Sequence, residues 1–195
     1  MAQGQINRGS QFGELLYGIA KSADTNIIVE IGAWNGCGST RCIIDGIIDS
    51  KIIKDFVSLE VCPEMHEQAK TNLAGSPVKL LYGSVITPEE IMPFVDGLDE
   101  LKEWYERDLD YIRKAPNVMS LIPTPIDLLL LDGGGFSTYP EWIKLKSRTK
   151  IVALDDTRTV KTKKVREELL SDSHYKMIAD NQSDRNGYSV FTRIC

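Results

Sequence analysis

Short apolar runs rich in β-branched residues alternate along this chain with longer stretches whose apolar positions recur every three or four residues. The first short run, Asn26-Ile27-Ile28-Val29-Glu30-Ile31, stops at Gly32 and predicts a strand buried on both faces. Runs of the same kind fall at 55–60, 78–82, 126–131, 150–154, 174–179 and 188–194. Between them the helical spacing predicts a helix over 11–22, capped by Ser10, with Phe12, Leu15, Leu16 and Ile19 on one face. Further helices are expected over 38–49, 63–73, 98–112, 140–146 and 160–170, and Thr87-Pro88-Glu89-Glu90 has the cap, proline and acids of another helix start. Residues 1–9, polar with two glycines, read as a loose arm.

Strand and helix alternate as far as the fifth strand, which implies an α/β protein with a doubly wound parallel sheet. The last two strands have no helix between them. The turn Asn186-Gly187 suits a reversal and gives the sheet an antiparallel end. No repeat, low-complexity segment or proline-rich linker divides the chain, so residues 1–195 read as one domain.

Composition narrows the partners. The 195 residues carry a formal net charge of -5, which argues against a nucleic-acid backbone as ligand. Cys37, Cys42, Cys62 and Cys195 form no CxxC pair, and only two histidines accompany them, so a zinc site is not expected. They read as reduced thiols of a cytoplasmic protein. No run resembles a signal peptide or is long enough to span a membrane.

The richest chemistry follows the first strand, in Glu30-Ile31-Gly32-Ala33-Trp34-Asn35-Gly36-Cys37-Gly38-Ser39-Thr40. In open α/β sheets, ligands bind beyond the carboxyl ends of the strands, and glycines there admit a ligand close to the backbone. A dinucleotide fingerprint needs G-x-G-x-x-G, but Gly36-Cys37-Gly38 is followed by Ser39, Thr40 and Arg41. The glycines instead read G-x-x-x-G-x-G. Glu30 before them would repel a pyrophosphate and suits a ligand that carries an amine.

The turn resembles the first motif of class I S-adenosylmethionine-dependent methyltransferases, and the likeness extends over nearly the whole chain. It implies a Rossmann-like, seven-stranded sheet, mostly parallel with an antiparallel C-terminal strand and helices on both faces. It implies S-adenosylmethionine held by Glu30, Gly32, Ala33, Trp34, Gly36, Gly38 and Ser39. Glu60 and Val61 follow as the ribose acid and its neighbour, Gly83 and Ser84 as the adenine segment, and Asp132 as the motif after the fourth strand. Ser84 departs from the acid that many members carry there.

Asp132, Asp155 and Asp156 fall at two adjacent strand ends, and three crowded carboxylates call for a positive charge. The arrangement is similar to that of the small, catechol-type O-methyltransferases, which carry Asp and then Asp-Asn at these places. The resemblance implies Mg2+ on Asp132, Asp155 and Asp156, with Asp132 and Asp155 as catalytic residues and a small-molecule hydroxyl as acceptor. A plainer reading stands beside it: Asp132 meets the methionine amine, while Asp155 and Asp156 cap the helix that follows. Relatives often carry histidine shortly after the Asp-Gly pair, where this chain has Gly133-Gly134-Gly135-Phe136. The triple glycine then reads as a flexible rim.

A methyltransferase-fold protein with another chemistry, or with none, is the alternative. A base methyltransferase is disfavoured because no Asn-Pro-Pro-Tyr-type motif follows the fourth strand. Residues 93–123 are the candidate acceptor-site insertion, with Trp104, Tyr105 and Tyr111 as a lid, an amphipathic core face or a homodimer contact. Lys161, Lys163, Lys164 and Arg166 read as a solvated helix face. Trp34 is divided between shielding the ligand and core packing. His66 and His174 read as structural.

Overall fold

The computed structural model describes residues 5–94 and 99–194. Within them, seven strands form one sheet: β1 (Ile27–Ile31), β2 (Asp55–Glu60), β3 (Lys79–Tyr82), β4 (Ile126–Leu131), β5 (Thr149–Asp155), β6 (Tyr175–Asn181) and β7 (Tyr188–Arg193). The order is β3-β2-β1-β4-β5-β7-β6, with β7 antiparallel to both its neighbours and every other pairing parallel.

Because side chains alternate along a strand, each central strand feeds two cores. Leu128 and Leu130 of β4 join the face covered by α1 (Gln11–Lys21), α2 (Ser39–Ser50) and α3 (Pro63–Asn72). Leu129 and Leu131 join the face covered by α4 (Lys102–Lys114), α5 (Thr138–Leu145) and α6 (Lys163–Ser171). All four leucines are fully buried, each stabilising the sheet by about 2 kcal/mol.

Register then places the chemistry. Ile31 stands opposite both Leu59 and Leu131, and Leu131 opposite Leu154. The next residues, Gly32, Glu60, Asp132 and Asp155, are therefore neighbours along one edge, at the switch point where β1 lies between β2 and β4.

Several boundaries differ from the sequence expectation. Residues 5–9 are not a loose arm: Ile6 is buried, and Asn7 is tied to Ser10 through its N–H (3.2 Å) and its carbonyl (2.7 Å). The rest of that arm, residues 1–4, lies outside the described residues. The Thr87 capping box forms, yet it starts only a 3-10 turn over Pro88–Glu90, because Pro93 disfavours helical backbone at Met92. The helix expected from Leu98 begins at Lys102 after a 3-10 turn over Asp99–Leu101, and Leu98 lies outside the described residues. The last helix starts at Lys163 instead of Val160, since Thr162 turns back to donate to the Asp155 carbonyl (2.5 Å).

Candidate active site

The glycine turn is stapled from the neighbouring strand. Trp34 sits at φ +47, and its N–H donates to Glu60 Oε2 at 2.6 Å. The other oxygen of Glu60 accepts the Cys62 N–H at 2.8 Å. One carboxylate thus fixes both the turn after β1 and the start of α3. Burial pushes the Glu60 carboxyl up to about 7, against the pull of these backbone donors.

A cleft of about 530 Å³ opens above these groups. Gly32, Ala33, Trp34, Gly38, Ser39, Glu60, Val61, Gly83, Ser84, Asp132, Asp155 and Asp156 all line it. Glu30 and Gly36 do not. Glu30 is fully buried beneath the turn and accepts the hydroxyls of Ser39 (2.6 Å), Thr40 (2.7 Å) and Ser58 (2.6 Å). These bonds anchor the start of α2 to β1 and β2, and the Glu30 carboxylate lies outside the cleft lining. Gly36 faces the Leu73 side chain. Ser84 lines the cleft, but its hydroxyl already accepts the Ile86 N–H at 3.1 Å. The Trp34 side chain is about half exposed, which rules out core packing.

Asp132, Asp155 and Asp156 converge as expected, each offering an oxygen within 4.8 Å of the others. Two cations that the sequence reading did not assign to the site hold them. Lys161 Nζ donates to Asp132 Oδ1 and, at 2.9 Å, to Asp156 Oδ2. Arg185 Nη2 meets both oxygens of Asp155 at 2.7 and 2.6 Å and lies 3.6 Å from Asp156 Oδ1. Lys161 therefore leaves the solvated face expected of it, while Lys164 packs over the Tyr139 ring and Arg166 pairs with Asp180. Asp156 takes φ +56, and its carbonyl accepts the Thr159 N–H, which turns the chain so that Lys161 returns to the strand end. Asp155 and Asp156 do not cap α6.

Burial and the Asp132 charge push Asp155 up to about 7, although Lys161 and Arg185 oppose the shift. Burial would lower the Lys161 ammonium, but Asp132, Asp156 and Asp155 together raise it, so it stays charged. The donor set is all hard oxygen, as Mg2+ prefers. Asp132 Oδ1, both oxygens of Asp155 and Asp156 Oδ2 are nevertheless engaged by protein cations, and an ion held by all three residues would have to displace one of those cations. The residues as arranged do not fit Mg2+.

The insertion after β3 supplies part of the wall. Arg107, Asp108 and Tyr111 of α4 line the cleft, while Tyr105 packs on Phe94 and Phe136. The triple glycine is pinned and does not form a free rim. Asp108 accepts the Phe136 N–H at 3.1 Å, and a Cβ on Gly134 would lie 2.6 Å from its carboxylate.

Below this loop Glu141 is 2% exposed, and its Oε2 has no hydrogen-bond partner among the described residues. Burial pushes the Glu141 carboxyl up to about 8. The fold therefore keeps a proton that the unfolded chain releases near its ordinary value of 4.5, and stability falls as pH climbs from about 5 through 8. Glu141→Gln is expected to gain ~1–3 kcal/mol at pH 8 and to flatten this profile, as read by urea denaturation at pH 5 and pH 8. A variant with the wild-type pH slope would contradict a buried, protonated Glu141.

His66 and His174 stay outside the cleft, the first beside Tyr82 and the second exposed against Asp172. Cys37, Cys42 and Cys62 are free thiols, as expected, and Cys195 lies outside the described residues. Among the described residues no helix is long and apolar enough to cross a membrane.

No protein-family model and no curated protein sequence matches this chain. Solved structures do match over nearly its full length. A cofactor-bound protein from MTB, Rv0187, is 17% identical with a TM-score of 0.65, covering 98% of this chain and 83% of its own. The S-adenosylhomocysteine-bound methyltransferase PaMTH1 of Podospora anserina is 15% identical with a TM-score of 0.63, over 94% and 78% of the two chains. An O-methyltransferase from Bacillus cereus, in complex with S-adenosylhomocysteine, is 13% identical with a TM-score of 0.62, over 93% and 80%. The chain has the fold of class I S-adenosylmethionine-dependent methyltransferases.

Proposed function

We propose that this chain is an S-adenosylmethionine-dependent methyltransferase acting on the hydroxyl group of a small molecule. The observation that carries the reading is the shared edge of the sheet. There the stapled glycine turn, the Glu60 carboxylate and the Asp132 cluster open onto one cleft of about 530 Å³, within the size range of small-molecule sites. The likeness of fold to methyltransferases bound to S-adenosylhomocysteine supports it.

S-adenosylmethionine would supply a methyl carbon on a sulfonium sulfur; an acceptor oxygen forms the new C–O bond as the C–S bond breaks, and its proton leaves. The chain's part is positional and electrostatic. Glu60 takes backbone N–H groups from Trp34, Cys62 and Val61, and a carboxylate has about four lone-pair sites, which leaves room for a ribose hydroxyl. Asp132 stands next to Gly32 in register, placed for an amine. The N-terminus of α2, which has no side-chain cap, suits a carboxylate. Lys161 has two partners among the described residues, so one ammonium hydrogen remains for the acceptor oxygen. The departing proton passes to the carboxylates of the cluster. Residues 99–123 form the acceptor side through Arg107, Asp108 and Tyr111.

Titration calorimetry with S-adenosylhomocysteine and with NAD tests the cofactor. Micromolar binding of the first and none of the second is expected. Methyl-labelled S-adenosylmethionine offered with phenols and catechols then tests the transfer. Binding of NAD alone would replace this reading with a dinucleotide enzyme.

A further inference from the structure

The cations of the acidic cluster belong to the chain itself. Each of Asp132, Asp155 and Asp156 gives at least one oxygen to Lys161 or Arg185. The contacts are built into the backbone. The φ +56 turn at Asp156 and the Thr162 bond to the Asp155 carbonyl return Lys161 to the strand end. Arg185, itself at φ +48, comes from the β6–β7 turn, whose Asn186 also donates to Asp156 at 3.1 Å. Both cations are largely buried, so water screens them little.

We propose that Lys161, backed by Arg185, occupies the place of a divalent cation, and that this protein takes no metal ion at Asp132, Asp155 and Asp156. Even with all three carboxylates ionised, two fixed positive charges leave no more than a single negative charge. A divalent ion would have to displace the ammonium from Asp132 and Asp156 and then remain beside it, with like charges facing each other at low screening. The inference deepens the methyltransferase reading and rests on it only for the cluster's place in the reaction.

Mn2+ is the probe, followed in the full-length protein by its electron paramagnetic resonance signal with and without S-adenosylhomocysteine. The wild type is expected to leave millimolar Mn2+ free. Lys161→Gln exposes two carboxylates and is expected to bind Mn2+ at least tenfold more tightly than the wild type. Lys161→Arg keeps the charge and is expected to stay without the ion. Should Lys161→Gln fail to fold, Lys161→Met serves in its place. Wild-type binding as tight as that of Lys161→Gln would overturn the proposal, and so would a neutral variant that still binds no Mn2+, because Lys161 would then not be what excludes the ion. Loss of S-adenosylhomocysteine binding in the wild type would remove the cofactor reading and leave the Mn2+ result standing by itself.

Discussion

Glu60→Ala is expected to weaken S-adenosylhomocysteine binding at least 100-fold, about 2.7 kcal/mol. The substitution removes the acceptor of the backbone N–H groups of Trp34 at 2.6 Å, Cys62 at 2.8 Å and Val61. Hydrogen bonds to a charged group are worth about 1.5–3 kcal/mol each. Without them the positive-φ turn at Trp34 loses its tether, and the wall of the cleft loses its shape before any ligand contact is counted. Glu60→Gln keeps one carbonyl acceptor and sets its amide against the N–H donation at the other oxygen, so an intermediate loss is expected. A pH dependence should mark the wild type alone. Burial holds the Glu60 carboxyl up to about 7, and hydroxyl donors favour its ionised form. Wild-type affinity should therefore weaken as pH falls from 8 to 6, and Glu60→Gln should lose that dependence. Calorimetry reads all three results. An alanine variant within fivefold of wild type would detach Glu60 from the ligand.

Gly32→Ala should be the most damaging single substitution of the glycine turn. Gly32 sits at φ +96, and a Cβ there would lie 2.3 Å from the backbone oxygen of Asp132 and 2.6 Å from its carbonyl carbon. Those atoms belong to the chain leaving β4, so they cannot swing aside as a side-chain tip does. Either β1 and β4 separate at their ends or the Gly32 N–H bond to the Leu59 carbonyl (2.9 Å) breaks. Backbone strain and overpacking together should cost at least ~3 kcal/mol, lowering the melting temperature by roughly 10 °C. Gly75→Ala is the control. Its φ is +76, but nothing among the described residues lies within 4 Å of the new Cβ, so only backbone strain of about 1 kcal/mol is expected. Thermal denaturation compares the two. Equal losses would mean that the close approach to Asp132 plays no part.

Within the acidic site, Asp132, Asp155 and Asp156 were legible as neighbours because strand order and the period-two pattern fix which residues end adjacent strands. Glu60 and the glycine turn were legible for the same reason. Glu30 was misplaced, since its position in the motif says nothing of where its carboxylate points. Three hydroxyls, from Ser39, Thr40 and Ser58, draw it under the turn. Lys161 and Arg185 gave little signal: a basic run on a predicted helix most often faces solvent, and a charged residue beside Asn186-Gly187 looks like an ordinary turn. A hint lay in the four residues between Asp156 and Lys161, too few for a settled helix start, but charge imbalance alone does not name its partner.

The chain's local chemistry, then, decided by itself its strands, most of its helices, its parallel sheet with a reversed last strand, and the edge where ligands gather. These follow from periodicity and steric turns, which act over a few residues. Only the tertiary structure decided which charges meet. Lys161 and Asp108 reach the cleft, and Arg185 reaches Asp155 at its edge, through contacts between segments about 30 residues apart or through a strained turn. Such contacts depend on how buried charges find partners once the sheet has closed.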